Sequence, residues 1–394
     1  MISEMLKPNR FLFYIGLLSL IALLFVEPYI RDYGSEQFSF LSKILAVWIV
    51  LALFLFLFNI QRINKDIGLI VGLATVFVLI MRALYVGDFI FELLPISYSM
   101  IFMCSALISK NISITKIEYE KIVRYFIFAS CAGMFYANTL AFGIVGDFVV
   151  TDQRYSLALD GNAAVLAIAI AAAAFLYYPE RLVKIVAAVV VLLALMRLVS
   201  FGSKGPLITS VIIIFLETML FQHKGYRAQG LFLISGILMF GYLFTVAYTP
   251  MGDYFDLLVG RFDDSDTWLA RLSEAENDFD AFLKSPLLGW GRVVPGLNLL
   301  GETSSGHITI TGMLARMGLV GTLGLGVFYV SYFNKLIKHI YFNAGNIIIM
   351  QVILFGVLIF VMFLLVLGNP LFLFPAWAFL PLLFPTIKST SQCV

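Results

Sequence analysis

The chain has 394 residues, of which 61% are hydrophobic, 15% aromatic and only 13% charged, with a formal net charge of +2. That composition excludes a soluble domain and leaves a polytopic membrane protein. Cys104, Cys131 and Cys393 have neither paired nor metal-ligand spacing, so neither a disulfide framework nor a metal cluster is expected.

Taken in order, the apolar runs fall near 11–27, 41–60, 67–86, 89–109, 122–146, 162–178, 182–200, 206–221, 229–249, 308–333, 346–367 and 370–387. Each approaches the roughly 20 residues that a helix needs to cross a bilayer. The first lacks a small-residue cleavage site and reads as an anchor. The expected fold is an all-α polytopic membrane protein of about twelve transmembrane helices, a single domain over 1–394 with one large external loop at 250–306. The runs at 182–200 and 206–221 are separated only by the turn FGSKG.

Lys and Arg set the orientation. With the N-terminus in the cytoplasm, the inner segments hold 15 of the 26 cations and six of the 24 acids, Lys110, Lys116, Lys335 and Asp66 among them. Both termini are then cytoplasmic and residues 250–306 are external, which is periplasmic in a Gram-negative host.

Within the loop, Trp268, Leu272, Ala275, Phe279 and Phe282 recur at helical spacing, with Arg271, Glu274 and Asp278 expected on the opposite face. The pattern predicts a short helix over 267–284 that lies on the membrane surface or covers a cavity. Pro286 stops it, and Gly289 and Gly291 open a loop. Gly312, Gly318, Gly321, Gly324 and Gly326, farther on, read as close helix packing in lipid.

Several outer cations run against the charge bias: Arg154 before the sixth span, Arg197 inside the seventh, Lys204 in the turn, Arg261, Arg271 and Arg292 in the loop, and Arg316 inside the tenth span. Charge at membrane depth is costly and faces a wet cavity or a partner. Two readings stand at each position: pairing with an outer acid or snorkelling to headgroups, or binding an anion such as a diphosphate. His307, at the outer mouth of a span after Thr303-Ser304-Ser305-Gly306, also has two readings: a helix-cap residue, or a proton acceptor near neutral pH. The acids at 263–266 read as a solvated turn or a Ca²⁺ site.

In order along the chain, Arg154 with Gly161-Asn162, Ser203-Lys204-Gly205, Arg271 with Pro286-Leu287-Leu288-Gly289-Trp290-Gly291, and His307 with Gly318-Leu319-Val320-Gly321 together resemble the O-antigen polymerase and O-antigen ligase superfamily. These are bacterial inner-membrane glycosyltransferases acting on undecaprenyl-diphosphate-linked glycans. Lys204 stands where the family has Arg, and Ile308 where many members have Asn.

The resemblance implies a polymerase of O-antigen or related repeat units on the periplasmic face, with the ligase that transfers glycan to lipid A core as the alternative. A flippase or transporter of a lipid-linked oligosaccharide is a third class. His307, Arg271 and Glu274 are the implied catalytic residues. Arg154 and Lys204 are the implied diphosphate ligands, and the outer-cation pattern adds Arg197, Arg261, Arg292 and Arg316 as candidates. No metal or other cofactor is implied. The implied partners are the lipid-linked oligosaccharide, membrane lipids, a chain-length regulator and a flippase, with no nucleic acid.

Overall fold

A chain this apolar must satisfy its own backbone hydrogen bonds, and a helix does so within one segment. Helices accordingly account for 92% of the described residues, and the fold is all-α. The computed structural model describes residues 8–25, 47–53, 55, 66–86, 89–144, 154–200, 204–220, 266–290, 309–343, 348–367 and 375–387. Ten helices frame the described residues: α1 (Pro8–Phe25), α2 (Ile67–Val86), α3 (Phe89–Asn111), α4 (Lys116–Ile144), α5 (Arg154–Tyr177), α6 (Arg181–Ser200), α7 (Lys204–Leu220), α8 (Asp266–Lys284), α9 (Thr309–Lys338) and α10 (Ile348–Leu367). Five π-helical residues, His339–Asn343, extend α9.

Among the described residues two stretches are long and apolar enough to cross a membrane, Ile67–Tyr85 and Ile310–Tyr341. Four further apolar helices, Asn9–Phe25, Gly161–Tyr177, Gly205–Met219 and Ile348–Leu364, are shorter. The run expected at 229–249 lies outside the described residues. The last expected run departs from a membrane helix: Pro375–Leu383 winds as a 3₁₀-helix with Pro381 inside it. A proline there removes an amide donor and blocks a regular α-helical ladder. After it, Thr386–Ile387 (β2) pairs in parallel with Ser113–Ile114 (β1) between α3 and α4.

The centre of the bundle is α5. Its alanine-rich sequence has no polar face, so it can be surrounded on every side. From Ala163 to Ala174 no residue is more than 2% exposed. α4, α6, α7 and α10 pack around it. A second focus is Phe102 of α3, fully buried, whose ring meets Phe328, Tyr329, Tyr332 and Phe333 of α9 and Trp377 of the 3₁₀ segment at 5.0–6.3 Å between centroids. Edge-to-face contacts of this kind add to the area they bury.

The line between α2 and α9 is built on small residues. A side chain at Gly68 would meet Ser331, one at Gly72 would meet Phe328, and one at Gly324 would meet Thr75. The packing expected for the glycines of α9 thus holds at Gly324 and, against Leu79 of α2, at Gly321. Gly326 instead faces open space, and Gly318 breaks the helix.

Charges gather at one end. Lys335 and Lys110 lie 2.6 and 3.8 Å from Asp66, Arg10 lies 3.7 Å from Glu118, and Arg124 lies 3.1 Å from Glu180. The starts of α1, α2 and α4, the ends of α3 and α9 and the α5–α6 turn therefore share that end. Helix direction then places the α6–α7 turn and the starts of α5 and α9 at the other.

Partial burial alone would raise the Asp66 carboxyl, but the hydrogen bonds from Lys335 and the Leu69 amide, with the Lys335 and Lys110 charges, hold it below the ordinary aspartate value. A group depressed on folding contributes stability above its unfolded value, about 4, and loses that contribution as pH falls through its folded value. Asp66→Asn is expected to lower the thermal midpoint at neutral pH and to flatten its decline on acidification. An acid limb identical to wild type in thermal scans would show that these ion pairs contribute nothing.

Candidate functional site

At the end opposite the ion pairs, α8 lies against the first turns of α9. α8 stops where Pro286 is expected to stop it. The Ser285 amide donates to Phe282 O at 3.0 Å, the Gly289 amide to Ser285 O at 2.9 Å, and the Ser285 hydroxyl to Gly289 O at 3.0 Å. The turn this makes needs φ of +68° at Gly289, a conformation that costs an L side chain about 1–2 kcal/mol.

The turn lands on a break in α9. Gly318 takes φ 62° and ψ −169°, a region open essentially to glycine alone. The broken ladder frees backbone groups in apolar surroundings, where each needs a new partner. Leu319 N–H donates to Pro286 O at 2.8 Å and Val320 N–H to Leu287 O at 3.1 Å. The freed carbonyl of Ala315 accepts the Trp290 N–H at 2.8 Å. That of Arg316 accepts from Nη1 of Arg82 at 2.6 Å. The Trp290 indole donates to Ala281 O at 2.8 Å over a small apolar contact of Ala281 and Ala315. The two glycines face each other closely enough that a side chain on Gly289 would meet the backbone of Arg316 and Gly318, and one on Gly318 the backbone of Leu287 and Gly289. The loop Pro286–Trp290 and the break Ala315–Val320 form one interlocked unit.

The helix expected at 267–284 is present as α8, but its inward face differs from the expected one. Asp278 is only 2% exposed and accepts from the Thr311 hydroxyl at 3.3 Å, while Phe279 and Leu283 are 48% and 58% exposed. At 100° per residue Phe279 stands about 100° from Asp278, so the two arcs adjoin and are not opposite. Asp278 and Ala281 face α9, through Thr311 and Ala315, because the interlock fixes the rotation of α8. Phe279 and Leu283 point out of the bundle, continuous with the exposed Leu287 and Leu288, while Ala275 and Phe282 are half-buried.

The remaining residues named from the sequence are spread over several elements. Arg271 and Glu274 lie on α8 seven and four positions before Asp278, the spacing that shares its arc. Arg154 is the first residue of α5 and Lys204 the first of α7. The side chains of these four are not among those described. Arg197, three residues from the end of α6, is 4% exposed. Arg316 sits in the α9 break. His307, Arg261 and Arg292 lie outside the described residues. Sequence reasoning misses Arg82, four residues before the end of α2; its only signal is a lone cation inside the apolar run LIMRALYV. Among the described residues no three His, Cys, Asp or Glu side chains group closely enough to hold a metal ion.

Chemically, this end of the bundle offers the guanidinium groups of Arg82, Arg197 and Arg316 within a few residues of helix ends or a break, beside a helix that buries the Asp278 carboxylate. That combination suits an anion whose charge changes during reaction. Neither a scan against protein-family models nor a search of the curated proteins finds a match to this chain.

Proposed function

We propose that this protein polymerises undecaprenyl-diphosphate-linked O-antigen or related surface-polysaccharide repeat units by glycosyl transfer on the periplasmic face of the inner membrane, with about twelve spans and both termini in the cytoplasm. The observation that carries the reading is the interlock of Pro286–Trp290 with the α9 break at Gly318. It joins two of the four sequence pieces on which the family resemblance rests, and it sets α8, with Arg271 and Glu274, beside the start of α9.

In the proposed reaction a hydroxyl of the acceptor sugar attacks the anomeric carbon of the donor. The bond from that carbon to the diphosphate oxygen breaks, and the lipid diphosphate leaves with the electron pair. The hydroxyl proton passes to His307 or Glu274. The cations Arg271, Lys204, Arg154, Arg197, Arg261, Arg292 and Arg316 are the candidates to stabilise the charge that grows on the leaving group. Such electrostatic stabilisation usually lowers the barrier more than any other effect. The apolar bundle supplies the surface for the polyprenyl tail. Polymerase and ligase share this step and differ in the acceptor, another lipid-linked repeat or a lipid A core sugar.

One observation favours a transporter as the second reading: discontinuous helices such as α9 are a device of secondary transporters. The surface glycan of a strain lacking the protein separates the classes. Single-repeat lipopolysaccharide is the expected result. Polymer left on the lipid carrier would make the protein a ligase, and unchanged glycan with carrier trapped on the inner side would make it a flippase.

A further inference from the structure

Glu217 lies on α7, three residues before that helix ends, and its side chain is fully buried. Neither carboxyl oxygen has a hydrogen-bond partner among the described residues. The space that holds it is made by small residues of two other helices: a side chain on Gly356 of α10 would run into Glu217 Oε1 and the Cβ of Ala169 of α5. α5, α6 and α10 all pack against α7. Tyr177 of α5 is the titratable group close enough to feel the carboxyl. α10 carries no charged residue, and the charged residues of α6 are Arg181, Lys184 and Arg197.

An ionised carboxylate buried without a partner would cost far more than a folded protein can spare, so such a group keeps its proton and is neutral. A bound hard cation is the other way to neutralise it, but that requires several oxygen ligands. Among the described residues no three His, Cys, Asp or Glu side chains group closely enough to hold one.

We propose that Glu217 is a proton-binding site sealed inside the helix bundle, a carboxylic acid at neutral pH that adds an apolar carbodiimide. The site is independent of the glycosyltransferase reading: it stands on burial, the glycine niche and the absence of a partner within the described residues. In the addition, the acid proton moves to one carbodiimide nitrogen while the carboxyl oxygen bonds to the central carbon. The resulting O-acylisourea rearranges to a stable N-acylurea. Nothing leaves, and the peptide gains the mass of one whole reagent. A carboxylate paired with a cation would lack the proton that starts this sequence. Because Glu217 lies about one turn from the end of α7, near the charged end of the bundle, its proton exchanges toward that side.

The test treats the full-length protein in membranes with dicyclohexylcarbodiimide and, separately, with a water-soluble carbodiimide, and maps the adducts by peptide mass spectrometry. Glu217 is expected to be labelled by the apolar reagent, to be spared by the soluble one, and to lose labelling as pH rises. The infrared carbonyl band of a protonated carboxylic acid is expected in wild type and absent in E217Q, which should fold normally because the amide is neutral and of the same shape. Equal labelling by both reagents would make Glu217 water-exposed and overturn the proposal. So would a wild-type spectrum with no acid band, a measurement that stands even if E217Q fails to fold. Marked destabilisation of E217Q together with no apolar labelling of wild type would reveal a cation-paired carboxylate instead.

Discussion

Replacing Gly318 with alanine is expected to unseat the Pro286–Trp290 loop from α9 and to reduce activity by about two orders of magnitude or more. The new methyl group meets the Leu287 carbonyl and the Gly289 amide, which are backbone atoms and cannot rotate away. The alanine must also hold a backbone conformation that costs about 1–3 kcal/mol outside glycine. If the loop moves to relieve the overlap, the Leu319, Val320 and Trp290 amides and the Ala315 carbonyl lose their partners. Each buried group left so costs about 1–3 kcal/mol. The thermal midpoint in detergent should fall by roughly 5 °C or more.

Gly289→Ala makes the same collision from the other side, against Arg316 and Gly318, and should reproduce the defect. Gly326→Ala supplies the control: it lies on the same helix with nothing within 4 Å of an added side chain. There alanine should be neutral, or stabilising by up to about 1 kcal/mol through helix propensity. A Gly318→Ala protein with the melting and turnover of wild type would mean that the interlock has no energetic role.

Arg271→Ala and Lys204→Ala should each lower turnover about 10²–10³-fold, close to 3–4 kcal/mol of transition-state stabilisation, while folded protein remains in the membrane. Both residues belong to the basic set at the end of the bundle opposite the ion pairs, Arg271 on α8 and Lys204 at the first position of α7. Arg271→Lys should recover only part of the rate, since an ammonium cannot grip two phosphate oxygens at once. His307→Gln should lower the rate more than it weakens donor binding, whereas loss of a cation should damage both. Steady-state assays with a lipid-diphosphate-linked donor in reconstituted vesicles separate the two effects. Full turnover in both cation variants would reduce them to surface charges.

Much of the framework is legible because the bilayer imposes it on composition. The run at 67–86 coincides with α2, and the break read at FGSKG falls where α6 ends at Ser200 and α7 begins at Lys204. The amphipathic period of 267–284 announces α8, and Pro286 its end. The orientation of α8 is not legible. Periodicity describes an isolated helix, but the rotation of α8 is set by hydrogen bonds to a helix some thirty residues later, as between Thr311 and Asp278.

Gly318 reads as one packing glycine among five because a sequence carries no sign of the dihedral that sets it apart. Arg82 and Glu217 are hidden by averaging, since one charge in twenty apolar residues barely changes the hydropathy of a run. The 3₁₀ segment reads as a membrane helix for the same reason: its residues are apolar enough, and only its prolines signal another geometry.

The fastening of the 3₁₀ segment onto α3 bears on how the protein is made. Ser109 donates its hydroxyl to the carbonyl of Phe384, 275 residues away, and the Phe102 ring is completed by Trp377. At about 5–20 residues per second of synthesis, α3 waits between roughly a quarter of a minute and one minute for the partner that covers it. Until then the side of α3 that Trp377 and Phe384 cover is left to lipid or to an insertion factor beside the ribosome. The 3₁₀ segment therefore acts as a late closing wedge.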